Sequence, residues 1–193
     1  MKLKQIVLPA LLAAAVHAPA AQAVENAVLA YDAATRDTPP VRYPNACAIN
    51  LLSVTDGRNN KETIGNAVIP IVAGEPLTWL NGGLDNLAAY GFKVQHSPTP
   101  VAGAVNLDIS LIRAYTFHAG MRINGTVAMD MGVLRSGKRD VVKVRAAGSK
   151  ANMMNSTSEF VTALNYALNN ATGSMAFTLK SLCSDKDVVA LAN

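Results

Sequence analysis

Two histidines, His96 and His118, are the side chains beyond residue 23 that could most readily act as a general base or a metal ligand. Each lies at the end of a predicted strand or in a turn, and neither has a second ligand three or four residues away, as a helical zinc motif requires. The sequence also lacks Gly-x-Ser-x-Gly, Walker and dinucleotide-binding motifs. We therefore expect no catalytic residue, no metal and no cofactor. The enzymatic alternative is a small periplasmic hydrolase that uses His96 or His118 with a carboxylate such as Asp108.

A charged pair, Asp56 and Arg58, follows directly after a predicted buried strand. These side chains could contact a ligand, or they could lock the turn at residues 56–60 by an ion pair with each other. The turn interpretation is favoured, and ligand contact stays open as the alternative.

Methionines could provide an adaptable binding surface for a protein or a lipid. Met121, Met129 and Met131 fit the apolar face of a predicted hairpin, whereas Met153 and Met154 lie in a loop before a helix. The loop pair is therefore the better candidate for an exposed contact.

The N-terminus has the order of a secretory signal: Lys2 and Lys4, an apolar run over residues 6–16, and small residues before a cleavage point after Ala23. The apolar run is too short to span a membrane, which takes about 20 residues. The first cysteine is Cys47, so no lipid-bearing cysteine follows the signal. We predict an unlipidated periplasmic or secreted protein.

Cys47 and Cys183 are the two cysteines of the chain, and an oxidising compartment favours one disulfide between them. No Cys-x-x-Cys spacing is present, so the bond is expected to be structural rather than redox-active.

Removing residues 1–23 from the 193 of the chain leaves 170 residues, with two basic residues fewer and a net charge near balance. The basic run at residues 135–145 straddles a predicted turn, where a solvated hairpin tip is expected, and attraction to anionic lipid head groups or lipopolysaccharide is the alternative. Nucleic acid is therefore not an expected partner.

The apolar patterns predict the elements that would position these side chains. Residues 46–55 read as a buried central strand, residues 75–91 as a helix, and residues 105–147 as a three-stranded meander with turns near 118–120 and 136–137. Ser156 and Glu159 form a capping box, which starts an apolar helical stripe that ends near residue 182.

These elements predict an α+β fold, with an antiparallel sheet of about five to six strands and two helices packed on one face. Residues 24–45 read as an extended leader segment and residues 46–193 as a single domain.

Several short sequence segments follow one another in the same order as in a known protein family. Ser-Val-Thr-Asp-Gly-Arg at 53–58, Ile-Gly at 64–65, the segment from Trp79 to Phe92 and Leu-Asp-Ile at 107–109 resemble the YajG-type envelope lipoproteins. The layout is also similar to the auxiliary lipoproteins of ABC-type lipid transport systems. The resemblance implies a small α+β envelope domain without catalytic residues. The missing lipid-bearing cysteine means that membrane anchoring does not carry over.

The leading hypothesis is a non-enzymatic envelope protein, an accessory or binding component that acts with a protein partner or a lipid-like ligand. A self-associating structural subunit is a further alternative, in which exposed strands of the hairpin pair with another copy.

Overall fold

The structure is a computed structural model, and it describes residues 25–66, 70–135 and 137–184. The predicted signal segment and its cleavage after Ala23 lie outside the described residues. The strands are β1 (Glu25–Val28), β2 (Ala48–Asp56), β3 (Gly65–Asn66), β4 (Pro70–Gly74), β5 (Lys93–His96), β6 (Ala104–Ala119), β7 (Arg122–Arg135) and β8 (Lys138–Ala151). The helices are α1 (Pro76–Asp85), a 3₁₀ helix (Asn86–Tyr90) that continues it, and α2 (Thr157–Leu182).

The eight strands of the described residues belong to one sheet, in which the long strand β6 pairs with β2, β3 and β7. One edge of β6 pairs with β7 in antiparallel fashion, and β7 pairs in turn with β8. The other edge of β6 pairs with β2 in parallel along its first half and with β3 at Thr116. Strand β5 lies outside β2, whereas β4 and β1 continue from β3.

Two β-bulges keep the apolar side chains on one face of this sheet. The register of β2 against β6 shifts between Leu51 and Ser53, and that of β6 against β7 shifts between Leu111 and Arg113. Because alternate residues of a strand face opposite sides, one extra residue moves all later side chains to the other face. After the second bulge, the buried face of β6 therefore continues at Ala114.

Both helices pack on this apolar face. Helix α1 begins at Pro76, where proline needs no backbone hydrogen bond. The fully buried Trp79 donates its indole N–H to Asn165 of α2 over 2.8 Å. A side chain at Gly83 would collide with Leu168 of α2, so the glycine lets the two helices approach closely. The 3₁₀ helix ends at Gly91, whose φ of 101° lies in the left-handed region that glycine adopts readily.

The α+β class is confirmed, and so is the meander of β6, β7 and β8. The sheet is mixed rather than antiparallel as predicted, and the described residues contribute eight strands to it where about five to six were expected. Strand β2 is parallel to both of its neighbours, β5 and β6, and β1 is parallel to β4. Parallel and antiparallel strands show the same alternation of side chains, so the pattern alone did not separate them.

The predicted leader segment includes β1, and the chain after it is tied to α2. Asn169 of α2 donates its amide group to the carbonyl oxygens of Asp32 and Thr35, at 3.0 and 2.6 Å. Its side-chain oxygen accepts the hydroxyl of Tyr31 over 2.6 Å. Burial is the main cause that raises the pKa of Tyr31 to about 12, so this hydroxyl stays a donor at neutral pH.

None of the helices in the described part of the chain is both long enough and apolar enough to cross a membrane.

Candidate functional site

The methionine tip, made of Met121, Met153 and Met154, consists of three exposed apolar side chains on two neighbouring loops. Their exposed fractions are 84%, 80% and 83%. Met121 lies in the turn between β6 and β7, and the other two lie between β8 and α2. The two loops are joined because the backbone N–H of Asn152 donates to the carbonyl oxygen of Met121 over 2.9 Å.

A single carboxylate holds the second of these loops. Glu159, in the first turn of α2, accepts the backbone N–H groups of Met153, Met154 and Ser156 at 3.0, 3.1 and 3.1 Å. The capping box predicted from Ser156 and Glu159 is thus present, and it also fixes the methionines. Asn155 completes the loop with a φ of 54°, a left-handed conformation that asparagine tolerates.

The hydrogen bonds from the backbone N–H groups of Met153 and then Ser156 are the main causes that lower the pKa of Glu159 below its ordinary value. A lowered pKa means that the folded loop favours the ionised carboxylate. Its contribution to stability is therefore complete above pH 4.5, the ordinary value for glutamate, and is lost as the pH falls through the lowered pKa.

The variant Glu159→Gln should loosen the methionine tip while leaving the fold intact. A neutral amide oxygen accepts hydrogen bonds more weakly than a carboxylate, so amide hydrogen exchange at Met153 and Met154 should rise several-fold at neutral pH. Exchange measured by mass spectrometry checks this, with the exposed Glu62→Gln as the charge-matched control. Unchanged exchange at the tip in Glu159→Gln would contradict the assigned role of this carboxylate.

Met153 and Met154 were predicted as exposed contacts, and their side chains are exposed. Met121 was assigned to the core face of the hairpin together with Met129 and Met131. The latter two are buried, but Met121 is not, because it stands in the turn directly after Gly120. Gly120 has a φ of 61° and forms the turn, so this glycine is the sequence signal by which Met121 could have been placed outside the strand.

Asp56 and Arg58 form the ion pair that the turn interpretation predicted. Nε and Nη2 of Arg58 donate to the two carboxylate oxygens of Asp56, both at 2.9 Å. Oδ1 of Asp56 also accepts the backbone N–H of Arg58 over 3.1 Å. The Arg58 side chain bonded to Asp56 is the main cause that lowers the pKa of this carboxyl below its ordinary range.

This ion pair leaves one strong donor unused. Nη1 of Arg58 has no hydrogen-bond partner, and it is buried, since the side chain is only 4% exposed. A buried donor without a partner costs about 1–3 kcal/mol. Arg58 lines a cavity of about 270 Å³ together with Arg113 and Tyr115 of β6. The alternative of ligand contact at Arg58 therefore keeps a structural basis beside the turn interpretation.

The two histidines have separate environments, and neither is bonded to Asp108. Nε2 of His96 lies 2.7 Å from Oδ1 of Asp85, and both side chains are about half exposed. The ring of His118 stacks edge-on against Phe160, with 5.1 Å between ring centroids. The partners of Asp108 are the hydroxyl of Ser53, at 2.5 Å, and the guanidinium of Arg139. The described residues also contain no group of three or more histidine, cysteine, aspartate or glutamate side chains that could hold a metal ion.

A disulfide joins Cys47, just before β2, to Cys183, just after α2. Their Cα atoms are 5.5 Å apart, and the backbone N–H of Cys47 also donates to Sγ of Cys183 over 3.1 Å. The bond ties the end of α2 to the beginning of β2. This is the structural staple expected from the sequence.

Comparison with solved structures finds this fold in other proteins. A Xanthomonas campestris protein of the family DUF330 matches with a TM-score of 0.51 and 13% sequence identity, covering 85% of this chain and 99% of that chain. An uncharacterised protein matches with a TM-score of 0.50 and 13% identity, covering 81% and 99%. A proposed lipoprotein from Caulobacter crescentus reaches a TM-score of 0.39 at 15% identity, covering 65% and 90%.

No family model and no curated protein matches the sequence. At 13% identity the first two structural matches show a shared fold alone. This shared fold is consistent with the small α+β domain that the sequence resemblance implies.

Proposed function

We propose that this chain is a non-enzymatic protein of the bacterial cell envelope that binds an envelope protein through the methionine tip. The observation that carries the proposal is the exposure of three methionine side chains, each at 80% or more, on two loops joined by a hydrogen bond. Large apolar side chains grouped in this way on a soluble surface mark an interaction site.

Binding at this tip is favoured both by the apolar surface and by the rigidity of the loops. Burial of one methionine side chain contributes about 1.5–3 kcal/mol relative to leaving it exposed. Glu159 already fixes the backbone of Met153 and Met154 in the free protein, so little loop ordering remains to oppose association.

A protein surface fits the tip better than a lipid bilayer. Methionine is flexible and polarisable, which suits it to the irregular surface of a protein partner. Surfaces that lie at the membrane interface instead use tryptophan and tyrosine, and the three residues of the tip include neither.

The envelope location rests on three supports. The N-terminal sequence has the order of a secretory signal, a disulfide is present, and the short sequences resemble YajG-type envelope lipoproteins. The auxiliary lipoproteins of ABC-type lipid transport systems, which the layout also resembles, act as accessory components. An accessory role with an envelope protein is therefore the role we propose.

The triple variant with Met121, Met153 and Met154 changed to serine should lose its envelope partner. Serine keeps the loops polar and exposed, so the fold should be unaffected while the apolar contact is removed. Quantitative crosslinking in the periplasm, followed by mass spectrometry, compares the capture of each partner by the wild type and the variant. We expect capture to fall at least tenfold, since two or more anchoring contacts are lost.

The matched control is Phe177→Ser, which removes an apolar side chain that is 70% exposed on α2. This variant should capture the same partner as the wild type. Equal capture by the triple variant and by Phe177→Ser would overturn the proposed role of the tip.

The hydrolase alternative places His96 or His118 beside a carboxylate such as Asp108. Its carboxylate, Asp108, is engaged with Ser53 and Arg139 rather than with a histidine. The Asp85 and His96 pair has catalytic side-chain types, but both are exposed to solvent, where electrostatic stabilisation of a transition state is weak.

The structural-subunit alternative would use β8, which pairs on one side with β7. A second copy of β8 would have to approach its free edge. The strand carries five basic residues and one acidic residue, so two copies would bring like charges together. Charged edge strands are a common protection against such pairing, and the alternative is disfavoured on this ground.

A further inference from the structure

The open face of the sheet, the side of β6, β7 and β8 away from both helices, contains an apolar groove. The groove has a volume of about 610 Å³ and is bordered by Ile112, Thr126, Ala128 and Ala147. This volume lies within the range of small-molecule sites, about 300–1,000 Å³. A groove of this kind accommodates an apolar chain.

The groove adjoins the cavity at Arg58, because Ile112 and Arg113 border both. The walls of this cavity include the polar side chains of Asn59 and Thr63. Arg58 also borders the cavity, and its buried Nη1 has no hydrogen-bond partner.

Two guanidinium groups besides that of Arg58 border this part of the open face. Arg113 is exposed and stacks over the ring of Tyr115 at 5.6 Å, and Arg145 borders the groove. In the described part of the chain, no aspartate or glutamate borders the groove or the cavity. Asp56, the nearest carboxylate in sequence to Arg58, is already engaged by that guanidinium.

We propose that this combined site binds one anionic amphiphile, with its apolar chain in the groove and its head group at Arg58 and Arg113. The head group supplies the acceptor that Nη1 of Arg58 lacks in the free protein, and Arg113 provides a second guanidinium beside it. Arginine is the residue best suited to phosphate and carboxylate groups. The small side chains of Ala128, Ala146 and Ala147 leave room for the apolar chain of the ligand.

Isothermal titration with dodecyl phosphate, below its micelle concentration, tests the site. The wild type should bind it with saturation, and Arg113→Gln should bind about tenfold more weakly, as expected for the loss of one charged hydrogen bond. Ala128→Leu, which fills the groove without a change of charge, should weaken binding as well. Arg42→Gln removes the same charge at an exposed position outside the site and should bind as the wild type does.

Two further ligands separate the parts of the site. Inorganic phosphate carries the head group alone, and dodecylphosphocholine carries the same chain with a head group of no net charge. Both should bind at least tenfold more weakly than dodecyl phosphate. Equal affinity for either ligand would overturn the proposal, and so would equal binding by Arg113→Gln and Arg42→Gln.

This inference stands independently of the methionine tip. The variant without the three methionines should bind dodecyl phosphate normally, and Arg113→Gln should capture the envelope partner normally. The two proposals can therefore fail separately, because each variant should reduce only one of the two binding measurements.

Discussion

Removal of the disulfide between Cys47 and Cys183 should lower the free energy of unfolding by about 4 to 5 kcal/mol. The two residues are 136 positions apart in the sequence, so the bond restricts most of the unfolded chain. The double variant Cys47→Ala, Cys183→Ala removes the bond without leaving a free thiol. Urea denaturation followed by circular dichroism should show a clearly lower midpoint for this variant than for the oxidised wild type.

Reduction of the wild type gives an independent measurement of the same bond. A reductant should shift the wild-type midpoint toward that of the double variant and should leave the double variant unchanged. Because Cys183 follows directly on α2, hydrogen exchange should also increase in the last turn of that helix when the bond is absent. An unchanged wild-type midpoint after complete reduction would contradict the expected contribution.

The local elements were predictable because their signals are local. The alternation from Val105 to Leu111 predicted β6, and the box formed by Ser156 and Glu159 predicted the beginning of α2. Both signals depend on residues within a few positions of each other, where backbone geometry follows directly from side-chain type.

The arrangement of the strands was less predictable, because it depends on contacts between distant residues. Strand β1 has only four residues, and it is held by pairing with β4 rather than by its own pattern. The bulge between Leu111 and Arg113 moves Arg113 onto the open face, and a strict alternation does not foresee this shift.

The two candidate sites differ in the same way. The sequence already singled out Met153 and Met154, because a loop position directly before a helix predicts exposure. Arg58 was singled out too, but its unused Nη1 and its position beside Arg113 follow from the approach of β6 to the turn after β2. That approach joins residues more than fifty positions apart, which no local pattern records.

Substitution of Gly148 by alanine should destabilise the protein by about 3 kcal/mol, at the upper end of the usual cost of overpacking. A Cβ atom at this position would lie 2.3 Å from the backbone nitrogen of Ala167 in α2. Backbone atoms cannot move aside by a rotamer change, so the whole helix would have to shift away from the sheet. Urea denaturation of the Gly148→Ala variant measures the loss.

The matched control is Gly74→Ala in β4, where a Cβ atom would meet no other atom within 4 Å. Its stability should stay close to that of the wild type.

Gly125 is the cross-strand partner of Gly148 and faces the same helix. A Cβ atom on Gly125 would lie 2.4 Å from the carbonyl oxygen of Ala163. One outward shift of α2 would relieve both collisions, so the double variant should lose clearly less stability than the sum of the single variants. Strictly additive losses of stability would mean that each glycine acts separately. If Gly148→Ala lost as little stability as Gly74→Ala, the close contact of α2 with β7 and β8 would not depend on these glycines.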